Sequence, residues 1–202
     1  MAAAATSSTT ATGRSLWTAL RALFVLTVIL GVAYPLALVG VGLLMPNQAG
    51  GSPLRDQHGV VRGSSILAQP VDGPGWFHPR PSAAGDGWDP MSSGASNESP
   101  ASKDYQEEIA KVRQEVADRE GVSPDQVPAD AFTSSGSGLD PHISTAYANI
   151  QAKRVAKETK LGEQKVEELI KKNTDQNFVG MSTGAPVNVV RLNADIAAAE
   201  GK

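Results

Sequence analysis

Three histidines, His58, His78 and His142, are the side chains of this 202-residue chain best suited to acid–base or metal chemistry near neutral pH. They are widely separated, and none has a His, Asp or Glu partner at a local spacing that would put two ligands on one metal. No metal site and no tightly bound cofactor are expected. Cysteine is absent, which excludes disulfides, thiolate zinc sites and a cysteine nucleophile. No Gly-x-x-x-x-Gly-Lys-Ser/Thr loop is present either, so the usual phosphate cradle of a stand-alone ATPase is missing. Asp140 and His142 stand among several serines, and one reading is a hydrolase that uses His142 and Asp140 with a nearby serine. Such triads are recognised by geometry, and turn and cap chemistry explains the same residues.

The most distinctive stretch is residues 133–144, Thr-Ser-Ser-Gly-Ser-Gly-Leu-Asp-Pro-His-Ile-Ser. Gly136 and Gly138 can take positive backbone dihedrals, the hydroxyls can bond nearby amides, and Ser144 can cap a helix. The composition predicts a rigid polar loop. Ser135, Gly136, Ser137, Gly138, Asp140 and His142 are its candidate contact residues for a ligand or partner, and a purely structural turn is equally open on composition.

Several elements must position that loop. Tyr105, Ile109, Val112 and Val116 recur at spacings of four, three and four, predicting a helix over 103–120 that Gly121 stops. A second helix is expected from Ser144 towards Leu161, and a third over 163–172 with Val166, Leu169 and Ile170 facing inward. The β-branched run at 187–192 reads as a strand. Residues 48–100 are dense in Gly, Pro and Ser, and the pieces 65–68 and 76–77 read as brief strands or packed loops. The domain is therefore expected to be α+β, with about three helices and short strands.

No charged side chain lies between Arg21 and Arg55, and residues 22–45 are long enough as a helix to cross a hydrocarbon core of roughly 30 Å. The apolar run continues to Leu43, Leu44 and Met45 instead of ending in small residues, which favours a retained anchor over a cleaved signal. The expected organisation is a mobile tail at 1–20, a transmembrane helix at 21–46 and one domain at 47–202. Arg14 and Arg21 precede the helix and Arg55 and Arg62 follow it, so the basic residues are nearly balanced. Arg21 abuts the helix, which favours a cytoplasmic N-terminus and an extracytoplasmic domain. Within the span, Tyr34-Pro35 predicts a kink, because proline has no amide hydrogen and its ring crowds the Gly31 carbonyl. Ala33, Ala37 and Gly40 add a small-residue face. These five residues either dock another transmembrane helix or reflect the frequency of Gly and Pro in membrane helices.

With 18 basic and 21 acidic side chains, the net charge of -3 gives no footprint for nucleic acid. Setting aside Arg14 and Arg21, the remaining chain holds 16 basic against 21 acidic groups, a net of -5. Such a balance could slightly enrich cations at short range.

An ordered series of motifs then resembles the C subunit of the bacterial Kdp potassium-transporting ATPase. The series runs through Tyr34-Pro35, Gln48-Ala49-Gly50-Gly51-Ser52, Gly63-Ser64 with Gln69, Trp76-Phe77 and Arg80-Pro81-Ser82-Ala83. It continues through Ser93-Gly94-Ala95-Ser96-Asn97, the Ser-Gly-Ser-Gly-Leu-Asp-Pro-His block, Gln151 with Arg154-Val155-Ala156, and Val187-Asn188-Val189 to Leu192-Asn193. Ala95 stands where the family usually carries a second glycine, and Glu98-Ser99-Pro100 replaces a more apolar stretch, so contacts from that loop differ. The resemblance implies a non-catalytic, single-pass accessory subunit in a bacterial cell membrane. Its implied partners are a channel-like potassium-conducting subunit and a P-type ATPase subunit. ATP is implied only through the catalytic partner, which such subunits assist as catalytic chaperones. A nucleotide-binding regulator with a cytoplasmic domain is a rival reading.

Overall fold

A computed structural model describes residues 8–175 and 185–201, with side chains from Gly13 onward. The chain divides into two compact units at Gly50.

The first unit is helical. Helix α1 (Ser8–Val28) passes through a π turn (Ile29–Ala33) into α2 (Tyr34–Leu44), and a single turn, α3 (Pro46–Ala49), follows. Residues 8–20, expected to belong to a tail, are thus helical; residues 1–7 lie outside the described residues. The helix over Gly13–Leu44 is long and apolar enough to cross a membrane, and none of its most apolar stretch is buried. Trp17 lies under the Arg21 guanidinium at 5.2 Å, an aromatic–cation pair at one end of the apolar run. The predicted disturbance at Pro35 takes a definite form. The Tyr34 amide bonds the carbonyl of Ile29, five residues back, so the ladder widens by one residue immediately before the proline that cannot donate.

The second unit opens with a hairpin of β1 (Pro53–Arg55) and β2 (Val61–Ser64), antiparallel with an irregularity between Leu54 and Arg55. Its turn is organised by Asp56, whose carboxylate accepts from the amides of His58 and Val60 at 2.9 Å and from Arg62 Nε at 2.8 Å. Residues 65–102 form packed loops, among them the stretches at 65–68 and 76–77. Helix α4 (Lys103–Glu120) starts on Ser102, which accepts from the Tyr105 amide, and ends on Gly121 in the left-handed region at φ 67°. Two 3₁₀ turns (Pro124–Gln126 and Ala129–Ala131) lead to β3 (His142–Ile143), α5 (Thr145–Thr159) and α6 (Glu163–Lys172). Strand β4 (Val187–Asn188) pairs antiparallel with β3, His142 opposite Asn188 and Ile143 opposite Val187.

The strand expected over 187–192 is cut short. Asn188 accepts from the Arg191 amide as an N-cap, and helix α7 (Val189–Glu200) begins at once, so Val189, Leu192 and Ile196 are buried at helical spacing. The alanine-rich sequence after Asn193 outweighs the local β-branched bias. In α6, Val166, Leu169 and Ile170 are buried as expected, whereas in α4 burial is confined to Val116, Ala117 and Glu120. Phe77, Ile143, Tyr147, Val155, Val187, Leu192 and Ile196 form the centre of one hydrophobic cluster.

Candidate functional site

The polar loop at 134–142 is held from beneath by the loops that precede it. Arg80 Nε and Nη2 donate to the carbonyls of Thr133 and Ser134 at 3.3 and 3.0 Å, and Ser82 Oγ donates to Gly138 O at 2.6 Å. Ser93 Oγ and the Gly94 amide both donate to Ser137 O, at 2.9 and 3.0 Å. The Ala68 amide takes Leu139 O and the Val189 amide takes Pro141 O, each at 2.8 Å. Gly138 sits at φ 68°, and a Cβ there would come within 2.8 Å of Ala84 and of the Gly94 carbonyl. Glycine is required at this position by both backbone conformation and space.

Within the loop, Ser137 Oγ accepts from the Leu139 amide at 3.1 Å and Ser135 Oγ lies 3.5 Å from the Asp140 amide. Asp140 Oδ1 accepts from the His142 amide and meets His142 Nδ1, both at 3.0 Å. His142 Nε2 faces Asp175 Oδ2 at 3.4 Å. The bond to Asp140 raises the His142 pKa above its ordinary value. Burial opposes ionisation of Asp140, but the bonds from His142 outweigh it and lower the carboxyl pKa. Both imidazole nitrogens are thus engaged by carboxylates, and among the described residues no serine hydroxyl is bonded to the ring. Among the described residues a Ser/His/Asp nucleophile is not assembled at this ring.

The loop also keeps an open face, which Arg80 and Ser93 border while tying the loop down. Ser135, Gly136, Ser137 and Asp140, with Arg80 and Ile66, line a shallow cavity of about 410 Å³. Nothing lies within 4 Å of where a Gly136 Cβ would stand. The six candidate loop residues are therefore brought together, with Gly138 fixed inside and Gly136 outside. Ala33, Tyr34, Pro35, Ala37 and Gly40 belong to the helical unit, around the π turn and α2.

A second polar constellation escaped the sequence reading. Arg154 and Arg119 converge on Glu120, whose side chain is wholly buried: Arg154 Nε and Nη2 stand 2.8 and 3.1 Å from its oxygens, and Arg119 Nε stands at 2.7 Å. Arg154 Nη1 also donates to the carbonyls of Pro74 and Trp76. Gln151 accepts from the His78 amide at 2.7 Å and donates to its carbonyl at 3.2 Å. Asn193 does the same for Phe77, with both bonds at 2.9 Å. Two side-chain amides thus replace the strand that residues 77 and 78 lack. His78, enclosed by the domain and near Arg119 and Arg154, is pushed down to about 4 by burial first and the arginines second. One signal was available: Glu120 continues the apolar stripe of α4 one further step of four after Val116.

Many polar residues of the motif series, among them Arg80, Ser82, Ser93, Gln151, Arg154 and Asn193, take part in these interlocking contacts. Comparison with known proteins agrees: a family model described as KdpC, K+-transporting ATPase, c chain, matches residues 16–198. The chain belongs to the KdpC family. A potassium-transporting ATPase KdpC subunit of Kineococcus radiotolerans is 44% identical over 176 residues, covering 87% of this chain and 89% of the relative. The subunit of the same description from Xanthomonas campestris pv. campestris is 43% identical over 180 residues, covering 87% and 85%. That from Mycobacterium bovis is 41% identical over 181 residues, covering 89% and 96%.

Proposed function

We propose that this chain is the accessory, non-catalytic C subunit of an ATP-driven potassium uptake complex, and that its outer domain braces the channel-like potassium-conducting subunit. The observation that carries the reading is the loop at 134–142, tied by Arg80, Ser82, Ser93 and Gly94 yet open at Gly136. A rigid, pre-organised polar surface suits docking, because little is lost in ordering it. The partners in this reading are the potassium-conducting subunit and the P-type ATPase subunit, and membership of a family of potassium-transporting ATPase subunits supports it. The helix with its π turn, Pro35 and small residues Ala33, Ala37 and Gly40 docks within the membrane part of the assembly.

In this reading the N-terminus is cytoplasmic and the domain is extracytoplasmic in a bacterial cell membrane. Assistance to ATP binding is then transmitted through the catalytic subunit, and no cofactor is held by this chain. Ser137 would be on the opposite side of the bilayer from the nucleotide. Two experiments test the reading. Deleting residues 55–202 while keeping the anchor is expected to abolish complex assembly and potassium-stimulated ATPase activity; unchanged assembly and activity would sink it. Single cysteines at Ser7 and Ser137 should label from opposite sides, and protection of Ser137 from an impermeant external reagent would revive a cytoplasmic nucleotide-binding regulator.

A further inference from the structure

A larger cavity, of about 790 Å³, lies within the outer domain between the β1–β2 hairpin and one flank of α7. Its size is that of small-molecule sites, about 300–1,000 Å³. Leu54, Val71, Trp76, Val190, Ala194 and Ala197 give it largely apolar walls, while Leu192 and Ile196 of the same helix turn into the core. The walls are tied together: Gln57 Nε2 donates to the Ala198 carbonyl at 3.3 Å, joining the hairpin to the end of α7. Gly63 leaves room for Gln69, whose side chain occupies the space a Cβ would need.

The rim differs in charge from the rest of the domain. Arg55 and Arg62 are exposed there, Arg55 Nη1 donating to the Gly59 carbonyl at 3.0 Å, and among the described residues Asp56 is the one acidic group lining the cavity, bonded to Arg62 Nε at 2.8 Å, so the rim keeps an excess of positive charge. A cationic edge on an apolar cleft, in a domain of net -5 charge, fits a ligand with a hydrocarbon body and an anionic head. The hairpin tip adds Val60 and Val61, each about half exposed at 50% and 51%. In sequence the hairpin begins at Pro53, three residues after the membrane-helix unit ends at Gly50. The same chain carries a helix long and apolar enough to cross a membrane, so membrane phospholipid is the amphiphile of this kind that an anchored chain meets.

We propose that this groove seats an acyl chain of an anionic membrane phospholipid, with the headgroup phosphate on Arg55 and Arg62. The proposal rests on the membrane anchor of the proposed function and on no partner subunit. A bidentate guanidinium–phosphate contact would orient the head while the chain lies along Leu54, Trp76 and Ala197.

The test uses the full chain in nanodiscs, with Trp17→Phe and Trp88→Phe leaving Trp76 as the fluorophore. Among the described residues the Trp88 indole N–H has no hydrogen-bond partner, so its replacement removes no bond there. Phosphatidylcholine discs are doped with phosphatidylglycerol brominated on its acyl chains, and Trp76 quenching is titrated. Quenching should saturate with phosphatidylglycerol, shift about fivefold with Arg55→Gln or Arg62→Gln, and vanish when Ala197→Leu fills the groove. No quenching at any lipid fraction would overturn the proposal. So would quenching that is equal with brominated phosphatidylcholine and unaffected by Ala197→Leu, which marks the bulk bilayer. Quenching lost when partner subunits assemble would assign the groove to a partner segment and overturn it as well. Failure of the accessory-subunit reading would instead appear as lost co-purification, with Trp76 quenching intact.

Discussion

The clasp around residues 74–78 and the loop at 134–142 are both polar, both tied by long-range hydrogen bonds, and opposite in what they leave over. In the clasp, Arg154, Gln151 and Asn193 spend their donors and acceptors on Glu120 and on the backbone of Pro74 to His78. In the loop, the neighbours take the carbonyls of Thr133, Ser134, Ser137 and Gly138, and one side remains open at Gly136. The difference separates polar residues that hold the domain together from those left on an open face, which the proposed bracing role would use. It also orders the expected consequences of mutation.

The largest loss of stability is expected at the clasp. Glu120→Ala leaves Arg154 and Arg119 without their buried counter-charge and should cost about 3–5 kcal/mol. Urea titration of the full chain in detergent, followed by near-ultraviolet circular dichroism, measures it; a cost under about 1 kcal/mol would mean that the clasp is incidental. Gly138→Ala comes next, because the positive φ and the 2.8 Å approaches to Ala84 and Gly94 add strain to overlap. About 2–4 kcal/mol is expected in the same titration. Loss of stability there without a change at Gly136 sharpens the contrast between the two sides of the loop.

A smaller effect is expected from pH. The folded pKa of His142 is raised, so its contribution is fully present below the unfolded value of about 6.5 and is lost as pH rises through the folded value. The folded pKa of Asp140 is lowered, so its contribution is present above about 3.8 and is lost as pH falls through the folded value. The pair is therefore strongest between those limits. Both side chains are about one-third exposed, at 33% and 37%, so solvent screening holds the effect below about 1 kcal/mol. Stability profiles of wild type and His142→Gln should converge on the alkaline side; a gap that widens there would contradict the ion pair.

Helical periodicity gave α4, α5 and α6 almost to the residue, because their apolar stripes and caps are local signals. The end of the chain was misread because Val187 to Val190 carry strand propensity locally, while the N-cap bond of Asn188 and the following alanines decide for helix. Pro35 announced a disturbance, but its form as a π turn depends on how five preceding residues share carbonyls. The loop at 134–142 was legible as a rigid polar turn. Its partners were not, since Ser82 and Gly138 are 56 residues apart and Gln151 and His78 are 73 apart. Nothing in local spacing encodes those meetings, although the recurring motifs marked many of the residues that take part.

The most direct test of the bracing role is a bulky residue on the open side of the loop. Gly136→Trp meets no atom within 4 Å at its Cβ and should leave chain stability within about 0.5 kcal/mol. Co-purification with the potassium-conducting subunit, read together with potassium-stimulated ATPase activity, is the decisive measurement. A stable Gly136→Trp chain that no longer co-purifies and no longer supports activity is the predicted result. A stable Gly136→Trp chain that assembles and supports activity like wild type would contradict a partner interface at this loop.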